Sequence, residues 1–278
     1  MGKNAIFALL SHYQFHTYMM KKQIMDFTVV ANERLHFNYS LLKMRPTNGD
    51  KLPEILPGQF VQVEVAESKN TFLRRPISIN FVDYEQNIIW LLVRNAGEGT
   101  RHLIESKIND VINMIIPLGN GFSMPSSDNA KTLLIGGGVG VAPLLYFGLI
   151  LKNHGIQPQF LLGARSKADI LELNEFEKLG KVHISTEDGS MGEKGLVTVH
   201  SILKEKFDNI YCCGPAPMMK AVAKLAKPIG AECEVSLENM MACGLGACLC
   251  CVEKTVKGNV CVCTEGPVFN INQLTWQI

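Results

Sequence analysis

The tightest constraint on this chain lies near its C-terminus, in Cys243-Gly-Leu-Gly-Ala-Cys248-Leu-Cys250-Cys251 followed by Cys261-Val-Cys263. Cys243, Cys248 and Cys251 stand at C-x4-C-x2-C, a spacing that brings three thiolates to one [2Fe–2S] cluster with a fourth cysteine further on. Gly244 and Gly246 give the backbone the freedom to wrap closely round such a group. The fourth ligand stays open. Cys261 and Cys263 lie two apart in a stretch that reads as a strand, where alternation places both on one face. Structural zinc and ordinary buried thiols are the competing readings. Zinc favours paired C-x2-C knuckles, and Cys248-x-x-Cys251 is the one such pair in the sequence.

The other cysteines argue for the same chemistry. All nine fall at 212–213, 233 and 243–263, an odd number without the spread of a disulfide framework. Such clustering suits a reducing compartment, here the cytoplasm, and a metal or redox centre. A formal net charge of +1 gives no reason to expect nucleic-acid binding. Thr132 to Leu151 form a run of 20 uncharged residues, long enough to span a bilayer. Gly136, Gly137, Gly138, Gly140 and Pro143 interrupt it, so it reads as a strand, a turn and a helix of a soluble nucleotide-binding unit, not as a membrane span.

At 278 residues the chain is expected to hold several domains. Residues 1–19 make a poor signal peptide, and Met20-Lys-Lys offers a second start, so they are read as an extension. Stretches 27–31, 39–43, 60–65, 77–82 and 88–93 read as strands, punctuated by Asn48-Gly49, Pro57-Gly58 and 83–86, which suggests a small closed barrel over 20–126. The pattern then changes. Strands at 132–135, 160–163, 182–186 and 210–212 alternate with helical stretches at 143–152, 172–179, 195–204 and 215–227, as in a parallel α/β sheet over 127–232. Residues 233–278 form the cysteine domain.

Four further motifs carry chemistry. Leu73-Arg74-Arg75-Pro76-Ile77-Ser78 sets arginine forks, suited to a pyrophosphate, beside a hydroxyl that can bond a ring nitrogen. Gly97-Glu-Gly99-Thr100 follows an apolar strand and can turn backbone N–H groups toward a phosphate. Gly136-Gly137-Gly138-Val139-Gly140 lies between strand and helix, the setting of a dinucleotide pyrophosphate turn. Cys213-Gly214-Pro215 ends another strand, where ligands of an open parallel sheet collect. Each motif alone has a plain structural explanation: a basic turn, a loop closure, a glycine bend or a buried thiol.

In this order the motifs resemble the ferredoxin reductase superfamily. The tail from Glu238-Asn-Met-Met-Ala-Cys243 to Cys263-Thr-Glu-Gly-Pro-Val-Phe269 resembles one branch of it, the electron-transfer subunit of class 1B dihydroorotate dehydrogenase. The resemblance runs from about residue 25 to about 270. It implies an FAD site formed by Arg74 or Arg75, Pro76, Ile77, Ser78, Gly97, Gly99 and Thr100. It also implies an NAD path along Gly137, Gly138, Gly140 and Cys213, with Ser78 and Cys213 as the candidate catalytic residues. Cys243, Cys248, Cys251 and Cys263 become the cluster ligands, because the family's last ligand immediately precedes the x-[DE]-G-P-V-F string. The interval of eleven residues between Cys251 and Cys263 is short for that pattern, and Cys250 and Cys261 are extra. The implied partner is an FMN-containing dihydroorotate dehydrogenase subunit, in a heterotetramer of pyrimidine biosynthesis.

The chemistry agrees with this resemblance. A nicotinamide releases two electrons together and a cluster accepts one at a time, so a flavin belongs between them. The small subunit of a ferredoxin:NADP or sulfide-linked oxidoreductase and a zinc-bound nucleotide sensor are the alternatives. Ala164-Arg165-Ser166-Lys167, at the end of the second sheet strand, lacks the acid that holds a free ribose 2′-hydroxyl and tolerates NADP, although the resemblance favours NAD.

Overall fold

A computed structural model describes residues 21–277 apart from Glu67 and Lys69. The extension expected over 1–19 lies outside the described residues.

The first unit is a closed barrel of β1 (Gln23–His36), β2 (Tyr39–Pro46), β3 (Phe60–Val63), β4 (Arg75–Asp83), β5 (Ile88–Arg94) and β6 (Val111–Leu118), in the order β1-β2-β5-β4-β3-β6. Closure depends on the length of β1. Its first half pairs with β6 from Gln23↔Ile116 to Thr28↔Val111, and its remainder pairs with β2 through two register shifts. Bulges of this kind bend a strand enough to serve two neighbours. Alternating residues fill the interior, among them Phe27, Val29, Met44, Val61, Val63, Ile89 and Met114. The barrel is the expected one. To the five expected strands the structure adds a sixth, β6, and a short helix α1 (Glu98–Ile104).

The second unit is a seven-stranded sheet. It contains β7 (Thr132–Gly137), β8 (Gln159–Ala164), β9 (Lys181–Thr186), β10 (Glu193–Lys194), β11 (Asn209–Cys213) and β12 (Glu232–Ser236), all in parallel pairings, and ends on the antiparallel β15 (Val268–Asn270). Helices α2 (Ala142–Asn153), α3 (Leu173–Leu179) and α4 (Ala216–Ile229) connect it. The sheet therefore continues beyond residue 232, because β12 pairs with β11 from Asn209↔Glu232 to Cys213↔Ser236. The helix expected over 195–204 is replaced by two short 3₁₀ turns, Val197–Val199 and Ser201–Lys204. A hydrogen bond from Ile202 N–H to His200 Nδ1 begins the second turn and takes the chain out of helical register.

The 20-residue uncharged run divides as expected into β7, a 3₁₀ turn at Gly138–Val141 and α2. A helix apolar all round must be covered all round. On one side Tyr146 and Ile150 of α2 pack into the barrel core; on the other Leu144, Phe147 and Leu151 join Phe160 and Phe176 under the sheet. No helix among the described residues is long and apolar enough to cross a membrane.

The cysteine segment folds over both units. It contains the hairpin β13 (Val252–Thr255) and β14 (Gly258–Cys261), then a single helical turn α5 (Val262–Glu265). Asn120, just beyond β6, clamps it in place. Its backbone N–H donates to Gly266 O at 2.6 Å and its side-chain amide to Glu265 O at 2.9 Å.

Candidate functional site

The thiols of the cysteine loop differ in setting. Cys251 and Cys263 are buried, Cys243 and Cys261 half-buried, and Cys248 exposed. Backbone N–H groups point at sulfurs, among them Leu245 at Cys243 Sγ (3.3 Å), Gly246 at Cys263 Sγ (3.2 Å) and Cys263 at Cys251 Sγ (3.4 Å). Burial works against ionising Cys243, but the N–H groups of Leu245, Cys248 and Ala247 outweigh it and bring the thiol down to about 6. Burial, with Cys251 alongside, pushes Cys263 up to about 12. A metal bound there would displace that proton. Gly244 and Gly246 have φ of +70° and +83°, and a Cβ at Gly246 would meet Thr264 Cγ2 at 2.9 Å. The loop is thus wound so that only glycine fits, as a cradle for a cluster requires.

The strand expected across 261–263 ends at Cys261. Val262 N–H donates to Cys251 O at 3.1 Å, which turns the chain into α5 and carries Cys263 inward. Cys261 stays outside this turn and donates its thiol to Gly246 O at 3.7 Å. Cys250 is exposed.

The flavin and nicotinamide motifs meet across a cavity of about 280 Å³. Pro76, Ile77 and Ser78 of β4, Ala96 just after β5, Thr100 of α1, Val139 of the glycine turn and Ala142 at the start of α2 all line it. Arg75 reaches this loop, since a Cβ on Gly99 would lie 2.8 Å from its Nε. Arg74 turns the other way. Its guanidinium donates to Asn113 Oδ1 (2.6 Å), Asn113 O (3.1 Å) and Gln62 O (3.3 Å), and pairs with Glu64. Thr100 shapes the loop from within, because its Oγ1 accepts from Ala96 N–H (2.8 Å) and Gly97 N–H (3.1 Å).

Gly137 and Gly140 are needed where two strand ends approach. A Cβ on Gly140 would fall 2.5 Å from Cys213 O, and one on Gly137 2.5 Å from Met218 Sδ. Gly138, at φ +57°, is the half-buried turn residue, and an added Cβ there would meet only the Tyr39 hydroxyl, at 4.0 Å. The Cys213 thiol is fully buried. Burial and nearby Glu238 push it well above its ordinary value, so it packs as a neutral thiol.

The cavity is also lined by Phe60, Glu238, Asn239, Met241 and Pro267, none of them among the expected cofactor-binding residues. Glu238 was the most accessible to prediction, as an acid directly before the cysteine motif. Burial raises its carboxyl and Arg94 opposes the rise. Gln62 was also passed over. The only cue in the sequence is a single polar residue in the apolar run Phe60-Val-Gln-Val63.

Comparison with known proteins agrees with this geometry. Residues 238–275 match the iron-sulfur cluster binding domain of dihydroorotate dehydrogenase B, and residues 134–224 match an oxidoreductase NAD-binding domain. The dihydroorotate dehydrogenase B (NAD(+)) electron transfer subunit of Fusobacterium nucleatum is 38% identical over 256 residues, 89% of this chain and 96% of that protein. The corresponding subunit of Desulforamulus reducens is 40% identical over 232 residues, 80% and 87% of the two chains. Among solved structures, a chain of the NADH-dependent reduced ferredoxin-NADP oxidoreductase superposes with a TM-score of 0.78 at 29% identity, covering 90% of both chains. A flavohemoglobin from Malassezia yamatoensis, with bound FAD and heme, shares the fold at a TM-score of 0.62 and 17% identity, over 76% of this chain and 60% of its own. With its barrel, NAD-type sheet and glycine-cradled thiols in one chain, and with relatives matched nearly end to end, this protein belongs to the family of dihydroorotate dehydrogenase B electron transfer subunits.

Proposed function

We propose that the chain carries electrons between NAD and a catalytic partner that oxidises dihydroorotate, through FAD on the barrel and a [2Fe–2S] cluster in the cysteine loop. The observation that carries this reading is the convergence of the β4 motif, the glycine turn and the segment leading to Cys243 on one cavity. Bound in these sites, a flavin exchanges a hydride with nicotinamide and single electrons with a cluster. The residues supply placement. Arg75 takes the flavin pyrophosphate, Ser78 the ring edge, and Gly138 with Gly140 the close approach of the dinucleotide. Cys213, whose carbonyl backs Gly140, packs behind the glycine turn as a neutral thiol. Cys243, Cys248, Cys251 and Cys263 hold the cluster; Cys250 and Cys261 do not.

NAD is favoured over NADP by a local contact. The Ser166 hydroxyl, one of two groups that could receive a 2′-phosphate, donates instead to Asp169 Oδ2 at 2.9 Å. The partner is an FMN-containing subunit, joined in a stable cytoplasmic hetero-oligomer, a heterotetramer by our reading. Its docking face is the exposed apolar rim of the cysteine loop, where Met240, Leu245 and Leu249 are 82%, 46% and 65% exposed. A second reading, the small subunit of a ferredoxin:NADP oxidoreductase, draws on the 0.78 superposition, but the dihydroorotate dehydrogenase relatives are closer in sequence.

The test is anaerobic titration of the chain reconstituted with FAD, iron and sulfide. NADH should bleach both the flavin and the cluster absorbance, with kcat/KM for NADH above that for NADPH. Bleaching of flavin alone, or a preference for NADPH, would contradict the proposal.

A further inference from the structure

Strand β3 runs along the seam between the barrel and the cysteine loop, and its side chains alternate across that seam. Val61 and Val63 enter the barrel core, whereas Phe60 joins the core that contains Cys251 and Cys263. Gln62 shares the face of Phe60. It is 0% exposed, and neither Nε2 nor Oε1 has a hydrogen-bond partner. A buried carboxamide without partners is costly, and a methionine or leucine would fill the same space without that cost.

What Gln62 faces gives the amide a purpose. A Cβ on Gly244, the residue after Cys243, would lie 2.6 Å from Gln62 Cγ and 3.0 Å from Nε2. The carboxamide therefore lies directly beneath the cysteine loop. The donors of that loop already point at sulfur, with Leu245 N–H on Cys243 and Gly246 N–H on Cys263. On the barrel side, the unpartnered donor of Gln62 is the counterpart of these N–H groups. Its position is fixed from behind, because Arg74 donates to Gln62 O and to Asn113 of the neighbouring strand. In register, Gln62 stands opposite Pro76, which lines the flavin cavity. The residue thus lies between the two cofactor sites.

We propose that Gln62 donates a hydrogen bond from its side-chain amide to a sulfur of the cluster beside Gly244, and so raises the cluster's reduction potential from the barrel side. Donors to cluster sulfurs favour the more negative, reduced form. Gln62 is a positioning and tuning residue, not a ligand. The inference rests on the assignment of the cluster to the Cys243–Cys263 loop.

The experiment uses the full chain carrying its FAD and cluster, with glutamine side chains labelled with ¹⁵N. In the reduced protein, pulsed electron paramagnetic resonance should detect a weak ¹⁵N coupling to the cluster, and Gln62→Met should abolish it. In Gln62→Met the cluster content should remain while its potential falls. Poised at the native midpoint, the ratio of reduced to oxidised cluster should drop at least threefold, about 28 mV at 59 mV per tenfold for one electron. A native protein with full iron and a normal cluster signal but no ¹⁵N coupling would overturn the proposal, whatever the folding of the variant. So would an unchanged potential in Gln62→Met. A native protein that takes up no cluster at all would instead remove the underlying assignment, a separate result read directly from its iron content.

Discussion

Arg74 donates to Asn113 Oδ1 at 2.6 Å, while the side chain of Arg75 lies against Gly99. Alanine at each position should therefore produce a different defect. Arg75→Ala is expected to weaken FAD by about 1.5–3 kcal/mol, the range for a hydrogen bond to a charged group and roughly 10- to 100-fold in affinity. Arg74→Ala should leave FAD affinity within about threefold and lower the urea midpoint, because it leaves the Asn113 side-chain amide oxygen unpaired. Flavin fluorescence titration and denaturation separate the two. The sequence marks the arginine pair but not the different directions its two side chains take, which depend on where β4 begins and which way each side chain leaves it. Among the cysteines, spacing marks Cys243, Cys248 and Cys251 as one group but does not separate Cys261 from Cys263, because the turn that carries Cys263 inward forms only in the folded chain. Single Ser replacements at Cys243, Cys248, Cys251 and Cys263 should abolish or strongly perturb cluster absorbance, and at Cys250 and Cys261 should leave it intact. A normal cluster in Cys263→Ser with loss in Cys261→Ser would reverse the assignment.

Helix α2 shows how an element can be legible from sequence while its surroundings are not. Its uncharged run and glycine turn announce a strand, a bend and a helix, yet only the structure shows the barrel closing over its far side. The seam there is pinned by Asn80 of β4, whose Nδ2 donates to Ala142 O (3.2 Å) and to Glu172 Oε2 (2.9 Å), just before α3. Burial pushes the Glu172 carboxyl from its ordinary 4.5 to about 8, with Asn80 partly opposing the rise. Because the folded value lies above the unfolded one, the folded chain keeps a proton that the unfolded chain has released. The associated stability is complete below pH 4.5 and is lost as pH rises through about 8. The urea midpoint should therefore fall across that interval, and Glu172→Gln should flatten the fall. An equal slope in the variant would exclude this carboxyl as its origin. Strands β12 and β15 escaped the sequence reading for a related reason. Glu232-Cys-Glu-Val-Ser236 has little apolar signal, and Val268–Asn270 is a three-residue edge, so each is held as a strand by a partner far along the chain.

Taken together, the barrel and the sheet each have a core, and the cysteine segment is fastened to both through Asn120 and β15. Phe60 of the barrel belongs to the same buried cluster as Cys251 and Cys263, so the flavin side and the cluster side share one packed wall. Such an arrangement suits electron transfer, which needs short fixed separations more than it needs acid–base chemistry. Within the loop, Met241 is buried but Met240, Leu245 and Leu249 remain exposed, which leaves an apolar rim for a partner to cover. That a partner exists follows from the family; which residues of the loop stay exposed depends on how the loop is wound. The most direct measurement compares the reconstituted chain alone with the chain plus its dihydroorotate dehydrogenase partner. Alone, it should pass electrons from NADH to an artificial dye and leave dihydroorotate untouched; with the partner added, oxidation of dihydroorotate should become coupled to reduction of NAD. Turnover of dihydroorotate by the purified chain alone, or no coupling when the partner is present, would contradict its assignment as the electron-transfer subunit.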